Sequence, residues 1–191
     1  MLTGSVLAGG KSVRYGRNKA LEVFHGKGLI EHAVESLRAV CDPVLVVAND
    51  LTPYLHIRAT LVQDVICDQG PLGGIYTALL FSPHNWALVK ATDMPFLAQE
   101  LVKKMYSSRE GYDVVAPMLN ERYEPLLALY SRRCLPAIAA ALERGDRKIT
   151  AFFRKVKVRE LSEADWRMAD PNGLSFKNVN TPENFEQLQW T

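Results

Sequence analysis

The sequence predicts an α/β protein: a mostly parallel open sheet held between helices in three layers. Three observations carry that expectation. Short apolar runs rich in Val, Leu and Ala recur through the first 117 residues, each suited to a strand covered on both faces. Between them lie stretches with apolar residues at spacings of three and four, which read as amphipathic crossover helices. Gly or Pro stands at several of the junctions, where the chain must turn.

The elements follow in order. Residues 3–8 end on Val6, Leu7 and Ala8 and stop at Gly9-Gly10, giving a buried first strand that enters a loop. Over 29–41, Ile30, Ala33, Val34, Leu37 and Cys41 share one helical face, and Pro43 ends that helix. The run Val44-Leu45-Val46-Val47-Ala48 is a second buried strand, parallel to the first because a helix joins the two. A short strand over 60–63, a helix over 72–81 opened by Gly70-Pro71, and a buried strand over 86–91 come next, with Asp93 just past the last of these. A helix over 97–106 and a strand over 112–116 complete the regular part. After Pro117 the pattern loosens: 123–130 is expected as an edge strand, and Leu135, Ile138, Ala139 and Leu142 form a helical stripe. A further helix begins in 149–153, and 156–161 alternates as strands do. With no repeat and no Pro/Gly/Ser-rich linker, one domain over 1–191 is expected, with halves at 1–117 and 118–191.

Composition removes several function classes. Hydrophobic residues at 48% and charged residues at 23% are near globular averages and exclude a disordered or fibrous chain. No apolar run approaches the roughly 18 residues of a membrane span. The formal net charge of +2 is too small for a surface that wraps nucleic acid unless the charge is local. No basic segment precedes the first strand as a secretory signal would require, and Cys41, Cys67 and Cys134 form no CxxC pair. A reducing, cytoplasmic setting is therefore expected. His25, His32, His56 and His84 lack metal-ligand spacing.

The first loop is the chemically loaded segment. It carries Lys11, Arg14, Arg17 and Lys19 with no acid among them, and Gly9, Gly10 and Gly16 allow backbone N–H groups to close around an anion. A merely basic turn is the bland alternative. Two common phosphate motifs fail by counting: a Walker loop ending in Gly10-Lys11-Ser12 would need Gly where Ser5 stands, and GxGxxG fails because Gly10 follows Gly9 directly.

The string Leu7-Ala8-Gly9-Gly10-Lys11-Ser12-Val13-Arg14-Tyr15-Gly16, with Lys19 three places on, resembles the LAGGxSxRxGxxK signature of nucleotidyltransferases. Four further segments carry the resemblance through the chain. They are Asp64 with Gly70-Pro71-Leu72-Gly73-Gly74-Ile75, then Asp93-Met94-Pro95-Phe96-Leu97, Glu124-Pro125-Leu126-Leu127-Ala128-Leu129-Tyr130, and Asn178-Val179-Asn180-Thr181-Pro182-Glu183. Within that superfamily the chain is most similar to the MobA-like molybdenum cofactor guanylyltransferases. It departs from them at Tyr15 (usually Met), Asn18 (often Asp), Gly73 (usually Ala) and Val47, where an Asn is often seen two places before Asn49.

The resemblance implies a Rossmann-like nucleotidyltransferase fold with a nucleotide-binding half over 1–117 and an acceptor-binding half over 118–191. It implies transfer of GMP from GTP to the phosphate of molybdopterin or its molybdenum form, releasing pyrophosphate. Leu7, Ala8, Gly9, Gly10, Lys19, Asp64 and Asp93 would then bind nucleotide, and Arg14, Lys19 and Asp93 would be catalytic. Arg14 and Lys19 suit neutralisation of phosphate charge, and Asp93 suits Mg²⁺, a cation that takes one or two carboxylates plus substrate phosphates. Asp93 could instead cap the following helix. Asn180 is a second polar group for the metal or a cap for the last helix. The LAGG loop implies guanine rather than cytosine, with Asp64 or Asp68 accepting from the base. Arg122, Arg147 and Lys148 are candidate cations for the acceptor, with ordinary surface charge as the alternative for each. Molybdoenzyme-maturation proteins are the implied partners. Two other readings stay open: a transferase using CTP or a sugar or isoprenoid phosphate, and a non-catalytic cofactor carrier.

Overall fold

The computed structural model describes residues 1–8 and 18–179. Strands and helices appear in the order β1 (Thr3–Leu7), β2 (Val23–Phe24), β3 (Lys27–Gly28), α1 (Leu29–Arg38), β4 (Val44–Ala48), β5 (Thr60–Gln63) and α2 (Gly70–Phe81). They continue with β6 (Trp86–Ala91), α3 (Gln99–Ser107), β7 (Val114–Leu119), β8 (Arg122–Tyr123), β9 (Leu127–Ser131), α4 (Leu135–Glu143), β10 (Val158–Leu161) and α5 (Glu163–Arg167).

The main sheet has the order β10-β7-β9-β6-β1-β4-β5, with β8 paired to β7. β1 is parallel to both β4 and β6, and β4 is parallel to β5, as βαβ crossovers demand. The segment expected at an edge contributes instead the interior strand β9, antiparallel to β6 on one side and β7 on the other. Its residues Leu127–Ser131 are buried at every position, which an edge strand could not be. The helix expected from 149 is a 3₁₀ segment, Ile149–Lys155, and α1 stops at Arg38 rather than reaching Cys41. The β2–β3 hairpin was not expected; its turn places His25 and Gly26 at φ 47° and 78°.

Alternation along the strands sorts side chains to two cores. Val6, Val46 and Leu88 face α1 and α3, whereas Leu7, Leu45, Val47 and Val89 face α2 and α4. α2 approaches β1 closely: a Cβ on Gly74 would lie 3.1 Å from Leu7 Cδ2. Chain connections leave β1 toward β4 and β5 on one side, while β6 lies on the other. A crevice therefore opens beyond the carboxyl ends of β1 and β6, the place where open α/β sheets hold ligands.

Candidate active site

Segments leaving β1 and β6 meet in this crevice. Thr92 Oγ1 donates to Leu7 O at 2.8 Å, and Ala8 N donates to Val47 O at 2.9 Å, so the stub after β1 is fixed from two strands. Tyr54, buried in a 3₁₀ turn after β4, donates its hydroxyl to Ala8 O at 2.9 Å and accepts from Asn18 Nδ2 at 3.0 Å. One phenol thus joins both ends of the basic loop. Asn18 in turn caps the 3₁₀ segment Lys19–Leu21, its Oδ1 accepting from Ala20 N.

That cap places Lys19 Nζ 3.2 Å from Asp93 Oδ2, with both side chains partly open to solvent. Asp93 does not cap α3, whose N-cap is Ala98. Its carbonyl instead accepts from Val179 N at 2.8 Å, bringing Val179 to the same crevice. A cavity of about 180 Å³ lies between these groups, lined among others by Ala8, Lys19, Pro71, Thr92, Asp93 and Leu126. Of the expected site residues, the structure brings together Leu7, Ala8, Lys19 and Asp93.

Asp64 follows β5, at the same sheet edge but two strands beyond β1. Its Oδ1 is buried without a hydrogen-bond partner among the described residues. Burial raises the Asp64 pKa, against a hydrogen bond from Thr77. Asp68 is exposed, and its backbone N–H is held by Asn49 Oδ1 at 3.4 Å. Val47 lies in the core, too deep for base contact. Arg122, Arg147 and Lys148 are exposed. Gly9, Gly10, Arg14 and Asn180 lie outside the described residues, as does Lys11.

Glu124, within the Glu124-Pro125-Leu126 segment, carries no expected role from sequence. It is partly buried, and its carboxyl is pushed up by desolvation, with the charge of Asp93 adding to the rise. Glu124 Oε1 accepts from Leu126 N at 3.0 Å, and Leu126 O accepts from Ala91 N, which fixes the cleft wall.

Asp93 is a hard oxygen donor whose ion pair occupies one of its two oxygens. Among the described residues there is no group of three or more His, Cys, Asp or Glu that could hold a metal. A carboxylate at a strand end fits Mg²⁺, which completes its shell with water and phosphate. Among the described residues, no helix is long and apolar enough to cross a membrane.

A family profile described as "MobA-like NTP transferase domain" matches residues 4–161. The chain is 40% identical over 190 residues to the molybdenum cofactor guanylyltransferase of Desulfosudis oleivorans, covering 98% of this chain and 94% of that one. The crystal structure of molybdopterin-guanine dinucleotide biosynthesis protein A from Archaeoglobus fulgidus is similar at a TM-score of 0.83 and 27% identity, covering 98% of this chain and 97% of that one. A 2-C-methyl-D-erythritol 4-phosphate cytidylyltransferase from Thermus thermophilus shares the fold at a TM-score of 0.68 and 13% identity, covering 97% and 96%.

Proposed function

Since the chain belongs to the MobA-like NTP transferase family and is a nucleotidyltransferase, we propose that it is a guanylyltransferase acting on the molybdenum cofactor. It transfers GMP from GTP to the terminal phosphate of molybdopterin or its molybdenum form. An acceptor phosphate oxygen attacks the α-phosphorus, an O–P bond forms, and the bond to the β-phosphate breaks with its electrons leaving on pyrophosphate. The chemistry needs orientation and charge neutralisation, with no covalent enzyme intermediate.

The observation that carries this reading is the Lys19–Asp93 pair across the switch-point cleft. Lys19 donates to triphosphate oxygens, and Arg14 joins it from the basic loop by bidentate contact. Asp93 would hold Mg²⁺, which supplies neutralisation of the triphosphate and the leaving pyrophosphate. Asn180 is the proposed second polar group for the metal. Gly9 and Gly10 complete the proposed nucleotide-binding set with Leu7 and Ala8. Asp64, with its buried unpartnered oxygen, accepts from guanine N1–H and the exocyclic amine, and that oxygen favours it over Asp68. The half at 118–191 takes the acceptor. The reaction belongs in the cytoplasm, with the product passed to molybdoenzyme-maturation proteins.

The test is mass spectrometry of products after incubating purified protein, Mg²⁺ and molybdopterin with GTP or CTP. Guanine dinucleotide from GTP alone is expected. Cytosine dinucleotide would move the protein to the cytidylyl class, and no transfer with tight nucleotide binding would make it a carrier.

A further inference from the structure

Lys90 is fully buried in the middle of the sheet, between Val6 on β1 and Leu127 on β9. Lysine is almost never so placed without a specific partner. Its Nζ donates to Ser36 Oγ on α1 at 2.5 Å and to Pro95 O at 3.3 Å, and the thiol of Cys41 interacts with it beyond the end of α1. Packing alone does not ask for an amine here, because a Met side chain would fill a similar slot without a polar group to satisfy. What the amine adds is a tether.

The segment tethered is the one that presents Asp93. Between β6 and α3 the chain runs through residues 92–98 without regular structure. It is held from above by Thr92 on Leu7 O and by Val179 N on Asp93 O. From beneath, Lys90 fastens the carbonyl two residues past Asp93 to a rigid helix. We propose that Lys90 is a positioning residue for Asp93: its buried amine, bridging Ser36 and the Pro95 carbonyl, sets the height of the Asp93 carboxylate in the cleft. The inference rests on the reading of Asp93 as the Mg²⁺ ligand. Groups that orient a ligand from behind it commonly govern metal affinity as strongly as the ligand's own chemistry.

The experiment compares Lys90→Met, Ser36→Ala and Asp93→Asn. Mn²⁺ binding to the GTP-loaded protein is followed by electron paramagnetic resonance without acceptor, alongside the Mg²⁺ concentration giving half-maximal turnover. Lys90→Met should weaken Mn²⁺ binding and raise the Mg²⁺ requirement by about tenfold. Its GTP KM at saturating Mg²⁺ should stay near that of the parent, and its melting temperature should not fall. Ser36→Ala should shift metal binding less, in the same direction, because the Pro95 contact survives. A well-folded Lys90→Met with parental Mn²⁺ affinity overturns the inference. If Lys90→Met does not fold, Ser36→Ala decides, and unchanged affinity in that variant likewise overturns it. If Asp93→Asn itself binds Mn²⁺ as the parent does, the metal assignment fails and the inference with it; loss in Asp93→Asn but not in Lys90→Met isolates failure to Lys90.

Discussion

Lys19 Nζ and Asp93 Oδ2, 74 residues apart in sequence, lie 3.2 Å from each other across the mouth of the cleft. An ion pair this open to water adds only about 0–1 kcal/mol to stability. On the proposed reading, Lys19 offers a cation to phosphate oxygens and Asp93 a carboxylate to the metal.

Lys19→Ala and Asp93→Ala should therefore each lower guanylyl transfer by about 10²- to 10³-fold, the usual loss for one electrostatic stabiliser. Urea midpoints should stay near the parent value. Lys19→Arg should keep part of the activity, since the contribution is largely Coulombic. Steady-state rates set beside unfolding curves check this, and a two-fold effect of Asp93→Ala would count against its assignment.

Asp64→Asn should change the base that is used. The buried Oδ1 lacks a protein partner among the described residues, so the carboxylate keeps an acceptor for guanine. An amide replaces one acceptor with a donor, which suits the carbonyl of xanthine better than the amine of guanine. The expected loss in kcat/KM for GTP is about tenfold or more, with a gain for XTP. Asp68→Asn should leave the ratio unchanged. Because burial raises the Asp64 pKa, the ligand-free Asp64→Asn protein should be no less stable than the parent.

Tyr54→Phe tests the tie between the two ends of the basic loop. The change leaves Ala8 O without its hydroxyl donor and Asn18 Nδ2 without its acceptor. A cost of about 1–2 kcal/mol in unfolding free energy is expected. The GTP KM should rise more than kcat falls, because the loop's approach to the nucleotide is affected and the metal ligand is not. An unchanged KM would show that the loop holds its place without Tyr54.

Asp93 and Lys19 were legible in the sequence because topology and motif agree. A carboxylate directly after a buried strand must lie at the sheet's carboxyl edge, and a cation after a glycine-rich turn from β1 must lie beside it. The interior place of β9 was not, since pairing with β6 and β7 is a long-range choice. The unbroken apolar run Leu126-Leu127-Ala128-Leu129-Tyr130 did signal burial on both faces. Lys90 in Trp-Ala-Leu-Val-Lys-Ala was equally visible as one charge in a buried strand. Only the register against α1 shows that it reaches Ser36 and Pro95. The orphaned oxygen of Asp64 depends on atoms from β5 and α2 and has no sequence signature at all.

Burial of Lys90 also predicts how stability responds to pH. Desolvation brings its pKa down from 10.5 to about 7, with the neighbouring Cys41 opposing that shift. Below about pH 7 the amine is protonated in both folded and unfolded chains, and the burial penalty is fully present. As pH rises from 7 toward 10.5 the unfolded chain keeps a proton that the native chain has released, so unfolding free energy increases with pH, by up to about 1.4 kcal/mol per unit. The buried thiols of Cys41 and Cys134 act in the opposite sense. Burial pushes both to about 12, so they stay protonated in the native state while unfolded thiols ionise above about 9, and the rise should level off there. Urea unfolding of the parent and of Lys90→Met at pH 7, 8 and 9 isolates the effect. The stability of the parent relative to the variant should grow by about 2 kcal/mol across that window. Parallel curves would mean that Lys90 keeps its proton in the folded protein, with Ser36 Oγ and Pro95 O sufficient to hold an ammonium ion in the core.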